Sequence, residues 1–179
     1  MRALNPTTPQ AVPASALERL YLAHHEMVLR SVYRLTRSMG DAEDVLHSLF
    51  VKLMQREEPL AADANLGPYL HRAAVNLGLN ILRQRQWSSA LDGLPERAGE
   101  GDDPLTFVSR QQLGDRLRAA IASLPQTAAE AFVLRHVEGY SNSEVARLLG
   151  VSAGSVAVTL HRARRRLQKE LATERRALS

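Results

Sequence analysis

The segment that decides the fold of this chain reads Ser141-Asn-Ser-Glu-Val-Ala-Arg-Leu-Leu-Gly-Val-Ser-Ala-Gly-Ser-Val-Ala-Val-Thr-Leu-His161. Ser141 and Glu144 have the S-x-x-E spacing of a capping box, which marks the start of a helix. Gly150 is the residue type that ends a helix in the left-handed conformation, and Ser152 is placed to cap a second helix. A short helix, a glycine turn and a longer helix together predict a helix-turn-helix.

The second helix of this motif is predicted to carry a DNA-binding face. Its inward residues are Val156, Leu160 and Ala163, which leaves polar and basic side chains on the opposite face. Such a helix fits the major groove, where base edges are distinguishable, while arginines anchor phosphates. The residues predicted to contact DNA are Ser152, Ser155, Val158, Thr159, Arg162, Arg164 and Arg165. The alternative for the same pattern is an ordinary helical hairpin with a solvated basic tail.

Helical periodicity extends over most of the chain. Aromatic residues make up only 4% of the sequence, and aliphatic residues recur at helical spacing. The predicted fold class is therefore all-α, with two small helical domains joined by a flexible linker and the helix-turn-helix in the second domain. The predicted helices span Leu17–Arg37, Asp41–Gln55, Pro68–Gln86, Leu105–Leu124, Thr127–Val137, Ser141–Leu149 and Ser152–Thr173. Gly40 is expected to end the first of these helices, and Asp41 to cap the second.

Composition sets the predicted domain boundaries. Residues 1–15 contain Pro and Thr without the apolar core of a signal peptide, and they are predicted to be a disordered leader. Residues 16–87 and 105–174 are the two predicted helical domains. Residues 88–104 hold Gly, Pro and acidic residues and are predicted to be a flexible linker. Residues 175–179 are predicted to be a tail.

Charge is distributed unevenly along a chain whose net charge is +4. Nine basic and eight acidic residues lie between Leu17 and Gln86, and two basic and six acidic residues between Trp87 and Asp115. Between Arg116 and Ser179 there are eleven basic and five acidic residues. An acidic bridge thus joins two near-neutral or basic lobes, and the C-terminal lobe has a cationic balance suited to phosphates.

Several classes of function lack the residues they need. The chain has no cysteine, which excludes a disulfide framework and a thiolate metal site. Adjacent His24 and His25 point in different directions on a helix and make a poor chelate. No nucleophile–base pair, metal-ligand cluster or phosphate loop is recognisable, and no apolar run approaches the length of a membrane span. The sequence predicts a cytoplasmic protein that is not an enzyme and uses no cofactor, metal or small-molecule substrate.

Two further segments make the assignment more specific. They read Gly40-Asp-Ala-Glu-Asp-Val-Leu-His-Ser-Leu-Phe-Val-Lys-Leu53 and Tyr69-Leu-His-Arg-Ala-Ala-Val-Asn-Leu-Gly-Leu-Asn-Ile-Leu-Arg-Gln-Arg85. Together with Ala122-Ser-Leu-Pro and Gly139-Tyr-Ser before the helix-turn-helix, they resemble an RNA polymerase sigma factor of the extracytoplasmic-function (ECF) class. The resemblance covers Leu17 to about Leu171. The Tyr69-Leu-His-Arg wording is similar to the iron-transport-regulator subgroup.

The resemblance implies a role for each segment. Residues 16–87 correspond to sigma region 2, which binds core polymerase and the −10 element, and residues 105–174 to region 4, which binds the −35 element. The helix from Asp41 implies docking on the clamp coiled coil of the largest polymerase subunit, through Asp41, Asp44, His47, Ser48 and Val51. The acid-free helix from Pro68 implies contact with the −10 element, whose exposed bases suit amides and arginines. The residues implied there are Arg72, Asn76, Asn80, Arg83 and Arg85.

The chain departs from the family pattern at three places. His47-Ser48 stands where the family usually has Gln-Glu, which removes a polymerase-facing carboxylate. Asn80 replaces a usual Asp, which removes a negative charge near DNA. Ala157 and Thr159 stand where basic residues are common, so phosphate anchoring is expected to carry more of the −35 affinity.

The leading hypothesis is an alternative sigma factor that binds core RNA polymerase and promoter DNA and is monomeric when free. Its silencing by an anti-sigma factor is a further implication of the resemblance. Two alternatives stay open: a sigma-like decoy that binds an anti-sigma factor without starting transcription, and a plain helix-turn-helix regulator. The His47-Ser48 departure motivates the decoy.

Overall fold

The computed structural model describes residues 14–55, 66–92 and 104–177, with side chains described for 16–55, 66–88 and 112–172. These residues form seven α-helices and contain no strand, which confirms the predicted all-α class. The helices are α1 (Ala14–Thr36), α2 (Met39–Met54), α3 (Gly67–Asp92), α4 (Pro104–Ser123), α5 (Gln126–His136), α6 (Asn142–Leu149) and α7 (Ala153–Ala177). We call α1–α3 the N-terminal lobe and α4–α7 the C-terminal lobe.

The N-terminal lobe is built on apolar stripes of its three helices. Residues four apart on a helix share a face, so Val28 and Val32 of α1 meet Leu70 and Ala74 of α3, all of them fully buried. Leu49 and its neighbours on α2 complete this core. The opposite face of α2 remains in solvent.

The junction between α1 and α2 differs from the prediction. Gly40 lies in the first turn of α2, and the residue in the left-handed conformation is Arg37, with a φ of 57°. Its guanidinium lies 5.8 Å from the ring centroid of Tyr33, a favourable contact that offsets part of the steric cost. Ser38 caps α2 by accepting from the backbone N–H of Asp41, so the expectation that Asp41 is the cap is wrong.

The helix-turn-helix forms as predicted. The backbone N–H of Ser141 donates to Glu144 Oε2 at 2.7 Å, and the N–H of Glu144 donates to Ser141 Oγ at 3.2 Å, which completes the capping box. Gly150 ends α6 in the left-handed region with a φ of 69°. Ser152 then accepts from the N–H of Ser155 and starts α7. Each of these contacts spans three residues or fewer, so the local sequence is sufficient to set them.

The two lobes pack against each other along α3. Val75, Leu79 and Leu82 of α3 belong to one continuous apolar cluster with the core of the C-terminal lobe. That core includes Leu134 and Val156, both buried. Helix α3 therefore contacts α4, α5 and α6 as well as its own lobe.

Helix ends fall inside the predicted leader, linker and tail. Helix α1 begins at Ala14, inside the predicted leader, and α7 continues to Ala177, inside the predicted tail. Helix α3 runs to Asp92, so the first five residues of the predicted linker 88–104 are helical. Residues 93–103 of that linker and residues 1–13 of the leader lie outside the described residues.

In the described part of the chain, no single helix is long and apolar enough to cross a membrane. One bent pair, Asn142–Leu149 with Ala153–Ala172, meets the test by length and composition alone, with an angle of 102° between its helices.

Two glycines of the helix-turn-helix provide a matched test of the turn. Gly150→Ala is expected to lower the free energy of unfolding by about 1–2 kcal/mol, because a side chain in the left-handed region is strained. Gly154→Ala is the control: Gly154 has an ordinary negative φ in the first turn of α7, and its new Cβ would meet nothing closer than Ser152 Oγ at 3.9 Å. It should leave stability unchanged or raise it. Urea unfolding followed by circular dichroism measures both, and equal losses would contradict the assigned turn.

Candidate nucleic-acid and partner interfaces

The outward face of α7 is free to meet a ligand. Ser155, Val158, Arg162 and Arg165 are exposed, and Thr159 is half-buried. No residue of the described chain covers this face, since α7 packs on its lobe through the Val156 side. The predicted DNA-contacting residues of this helix therefore share one accessible surface.

Two of the predicted residues on this helix have structural contacts of their own. Ser152 Oγ accepts from the N–H of Ser155 and lies 2.8 Å from Ser155 Oγ, so it serves first as the helix cap. Arg164 is exposed, and its guanidinium donates to His136 Nε2 at 3.1 Å. Burial, and then the charges of Arg164 and Arg135, lower the pKa of His136. A neutral imidazole is the form that accepts this hydrogen bond.

The predicted −10 face of α3 lies against the C-terminal lobe. Arg72 Nε donates to Glu130 Oε2 at 3.2 Å, and its NH1 group donates to the carbonyl oxygen of Leu148 at 2.7 Å. Asn76 Nδ2 donates to Glu130 Oε1 at 2.9 Å. Arg83 donates from Nε to the carbonyl of Ala122 at 3.0 Å. Three of the predicted −10 residues are thus engaged by the other lobe.

The remaining two predicted −10 residues have different surroundings. Asn80 is exposed and donates to Asn76 Oδ1 at 3.2 Å, within α3 itself. Arg85 turns towards the N-terminal lobe, where it donates to the carbonyl of Thr36 at 3.3 Å and pairs with Asp41 at 2.8 Å. The five predicted residues therefore do not form one open surface in this structure.

The predicted polymerase-facing stripe on α2 is open over most of its length. Asp44, His47 and Ser48 are exposed, and Val51 is half-buried. Asp41 does not share this stripe, because its carboxylate pairs with Arg85 and its side chain is only 17% exposed. Asp41 was expected on or near this stripe, and its part in a polymerase contact stays a prediction. Its charge links the C-terminal half of α3, at Arg85, to the start of α2.

A buried polar cluster between the lobes was not predicted from the sequence. His71 Nε2 lies 2.7 Å from Glu138 Oε2, and its Nδ1 lies 2.7 Å from the hydroxyl of Tyr140. Ser31 donates to the same carboxylate at 3.2 Å, and Arg34 reaches it from the rim at 3.3 Å. Glu138 and Tyr140 belong to the turn after α5, whereas the other groups belong to α1 and α3.

The signal for this cluster was weak in the sequence. Glu138, in the turn after α5, is an acidic residue in a basic lobe, and nothing in the sequence around it predicted its burial. The same is true of Glu130 on α5, which contacts Arg72. Both carboxylates are nevertheless only 4% exposed. Burial raises the pKa of Glu138, but hydrogen bonding and charge from His71, with smaller effects of Arg34 and Ser31, outweigh it and leave that pKa below its ordinary value.

Family models match both lobes of the chain. The model described as "Sigma-70 region 2" matches residues 20–88, and the model described as "Sigma-70, region 4" matches residues 114–167. The first range covers α2 and most of α1 and α3, and the second contains the helix-turn-helix.

Curated relatives carry sigma factor names. An ECF RNA polymerase sigma factor SigE of Mycolicibacterium smegmatis is 33% identical over 87% of this chain, which spans 61% of that protein's length. An RNA polymerase sigma-E factor of Streptomyces avermitilis is also 33% identical, over 86% of this chain and 84% of that protein. RNA polymerase sigma factor YlaC of Bacillus subtilis is 27% identical over 89% of this chain and 94% of its own length.

A solved structure has the same fold. It is the sigma factor RpoE in complex with the anti-sigma factor NepR from Bartonella quintana, with a TM-score of 0.52 and 20% identity. The match covers 89% of this chain and 98% of that chain. At this identity the likeness concerns the fold alone.

The charge of Glu138 gives the inter-lobe cluster a defined pH dependence. Glu138→Gln should lower the free energy of unfolding by about 1–3 kcal/mol, because it removes a buried hydrogen bond to a charged group. Since folding lowers the pKa of Glu138, this stabilisation is present above the ordinary value of 4.5 and disappears as the pH falls through the folded value. The difference between wild type and variant, measured by urea unfolding, should therefore shrink below about pH 4.5.

The control is Glu26→Gln, because Glu26 is 72% exposed and lies 3.9 Å from an equally exposed Arg30. Exposed pairs of this kind contribute little, so this variant should match wild type at every pH. A Glu138→Gln difference that persists undiminished to pH 3 would contradict the assigned ionisation.

Proposed function

We propose that this chain, which belongs to the ECF class of sigma-70-type RNA polymerase sigma factors, acts as an alternative sigma factor. It binds core RNA polymerase and directs promoter recognition and the initiation of transcription. The observation that carries this function is the pairing of two sigma-70 domains on one chain, residues 20–88 and 114–167, with an exposed basic helix in the second. Nucleotide addition belongs to the polymerase, so the chain itself needs no catalytic group.

The outward face of α7 is our proposed contact with the −35 element. Arg162, Arg164 and Arg165 supply phosphate anchoring, which fixes the position of the helix without reading sequence. Val158 and Thr159 are suited to the methyl groups of thymine in the major groove. Because no basic residue stands at 157 or 159, we expect sequence readout to be weak and the salt dependence of binding to be strong.

The N-terminal lobe carries the other two proposed contacts. Asp44, His47 and Ser48 form an accessible surface on α2 for the clamp of the polymerase, where carboxylates pair with basic groups and set orientation. The donor-rich face of α3, with Arg72, Asn76 and its neighbours, is the proposed contact with the −10 element. Amide and guanidinium donors suit the exposed base edges and backbone of a single strand.

An anti-sigma factor is the proposed regulatory partner. The support is the solved sigma factor of the same fold, which was captured with an anti-sigma factor. Membership of the iron-transport-regulator subgroup remains a prediction from the Tyr69-Leu-His-Arg wording. The chain is proposed to act in the cytoplasm, where the polymerase lies.

A decoy remains the second candidate because of one observation. His47 and Ser48 are exposed on the proposed polymerase surface, at positions where the ECF pattern usually has an amide and a carboxylate. A weakened polymerase contact together with an intact fold would suit a protein that occupies an anti-sigma factor without initiating transcription.

Transcript mapping separates these candidates. Purified protein is mixed with bacterial core RNA polymerase and sheared genomic DNA, and the 5′ ends of the transcripts are mapped. A sigma factor gives discrete starts that share two upstream motifs and vanish without the protein. His47→Gln with Ser48→Glu should strengthen binding to core several-fold, because it restores the carboxylate. A decoy gives no starts and no core binding until these two residues are changed.

Salt dependence tests the proposed −35 contact. Replacing Arg162 and Arg165 with Ala together should weaken binding to a promoter duplex and reduce the slope of log K against log salt by about 2, one for each arginine that no longer neutralises a phosphate. The matched control is Arg30→Ala, which removes one exposed arginine from α1. Fluorescence anisotropy at several salt concentrations measures both. An unchanged slope in the double variant would place the phosphate contacts elsewhere.

A further inference from the structure

We propose that His136, the last residue of α5, is a positioning residue that holds the guanidinium of Arg164 for a phosphate of the −35 element without cancelling its charge. The inference rests on the proposed −35 contact of α7 and deepens it. Arg164 contacts the phosphate, whereas His136 acts through Arg164 and need not touch the DNA itself.

The first support is a hydrogen bond between two helices of the C-terminal lobe. Arg164 of α7 donates from its guanidinium to Nε2 of His136 at 3.1 Å, across 28 residues of sequence. Both helices are anchored beside this pair, because Ala163 of α7 and Val133 of α5 are buried in one apolar cluster. Since this packing already fixes the two backbones, the bond restricts the long Arg164 side chain and not the helices.

The imidazole is itself held by a ring contact. Phe132 lies one turn before His136 on α5, and the two ring centroids are 4.8 Å apart with the ring planes tilted by 57°. Phe132 is half-buried and packs against the core of the lobe. The core therefore supports Phe132, Phe132 supports the imidazole, and the imidazole supports the guanidinium of an exposed arginine.

The acceptor at His136 is an uncharged ring nitrogen. Nε2 accepts a hydrogen bond only when it carries no proton, so the proton of the neutral ring lies on Nδ1. Burial, and then the charges of Arg164 and Arg135, lower the pKa of His136 below its ordinary value of 6.5. The neutral form that accepts the bond is therefore the form present at neutral pH, and Arg164 keeps its full positive charge.

Two arginines elsewhere in the described chain show the contrast. Arg72 pairs with the carboxylate of Glu130, and Arg85 pairs with that of Asp41. In those pairs the negative charge of the acceptor offsets the guanidinium charge, which weakens the attraction for a phosphate. The neutral acceptor orders Arg164 without that loss of charge, and it engages one of the five N–H groups that a guanidinium offers.

The place of Arg164 on α7 suits a phosphate more than a base. One residue corresponds to about 100° of rotation, so Arg164, which follows the inward-facing Ala163, lies on the flank of α7 that borders the end of α5. A helix in the major groove meets base edges with its outward face and phosphates with its flanks. His136 and Arg164 are both exposed there, so a phosphate can reach the pair.

A double-mutant cycle on DNA binding tests the inference. The full chain is titrated at about pH 7.5 and several salt concentrations with a fluorescein-labelled, random-sequence duplex of about 20 base pairs, because phosphate contacts carry no sequence information. Arg164→Ala should raise the Kd and reduce the slope of log K against log salt by about 1. His136→Ala should leave the slope unchanged and raise the Kd about two- to tenfold, the range for one side chain that must be ordered on binding. In the Arg164→Ala background, His136→Ala should change nothing further.

Two other replacements of His136 separate the acceptor from the ring. His136→Gln keeps an uncharged acceptor near the place of Nε2 and should return the Kd to within about twofold of wild type. His136→Glu holds Arg164 but adds a negative charge beside it, so the salt slope should fall by about 1. A His136→Gln loss as large as that of His136→Ala would assign the effect to the ring contact with Phe132 and overturn the inference.

The matched control is His25→Ala on α1. His25 also stacks on an aromatic ring one turn earlier, with its centroid 5.0 Å from that of Tyr21, but its hydrogen bond goes to the carbonyl oxygen of Tyr21. Its Kd and slope should match wild type. Urea unfolding checks that each variant is folded, and since His136 is exposed, its replacement should leave the fold intact. Losses from His136→Ala and Arg164→Ala that simply add, or wild-type binding by either variant, would overturn the inference.

These measurements separate the inference from the proposed function, because they need neither polymerase nor a promoter. If wild type gives no protein-dependent transcript starts, the proposed function fails whatever the binding cycle shows. If starts appear and the losses at the two positions add, the function holds and only the positioning role of His136 is wrong.

Discussion

The constraint on which the rest of the structure depends is that α3 carries many donors and no acid between Gly67 and Ser88. Buried donors need acceptors, and this part of α3 has no carboxylate to supply them; its own side chains offer only uncharged acceptors such as Asn76 Oδ1. One side of the helix packs into the N-terminal core through Leu70 and Ala74. The side that holds Val75 and Leu79 lies under the C-terminal lobe, which brings the acceptors with it. The burial of apolar side chains and the need of the α3 donors for acceptors therefore favour the same packing of the two lobes.

The distribution of acids explains how a basic lobe can contact a basic helix. Glu130 and Glu138 are buried between the lobes, where they face Arg72 and His71. The arginines of α7 at positions 162, 164, 165 and 166 are exposed to solvent. The C-terminal lobe thus has a negative side towards α3 and a positive side towards solvent. A single value of net charge does not reveal this division. The division nevertheless determines which face of the lobe meets which partner.

Local reasoning was correct where a few neighbouring residues decide the outcome and wrong where competing local signals exist. The capping box at Ser141 and the left-handed Gly150 formed as predicted, because each is satisfied within one turn. At the junction of α1 and α2 a glycine was expected to end the helix, but Arg37 takes that conformation instead. Ser38 could cap α2 with its hydroxyl, so the helix began before Gly40 and the glycine became an ordinary helical residue.

The sequence by itself determined the all-α class, the helix-turn-helix and the composition of each helix face, since these follow from periodicity and from caps between residues three or four apart. Only the tertiary structure decided which faces are free. Arg72 meets Glu130 across 58 residues and His71 meets Glu138 across 67, and no local pattern encodes pairs at such separations. Asp41 is a further example of a pair that no local pattern encodes. Its carboxylate accepts a hydrogen bond from Arg85, 44 residues away, and is therefore less available on the proposed polymerase surface. A side chain's type can be read from its own position, but its availability depends on what the rest of the chain packs against it.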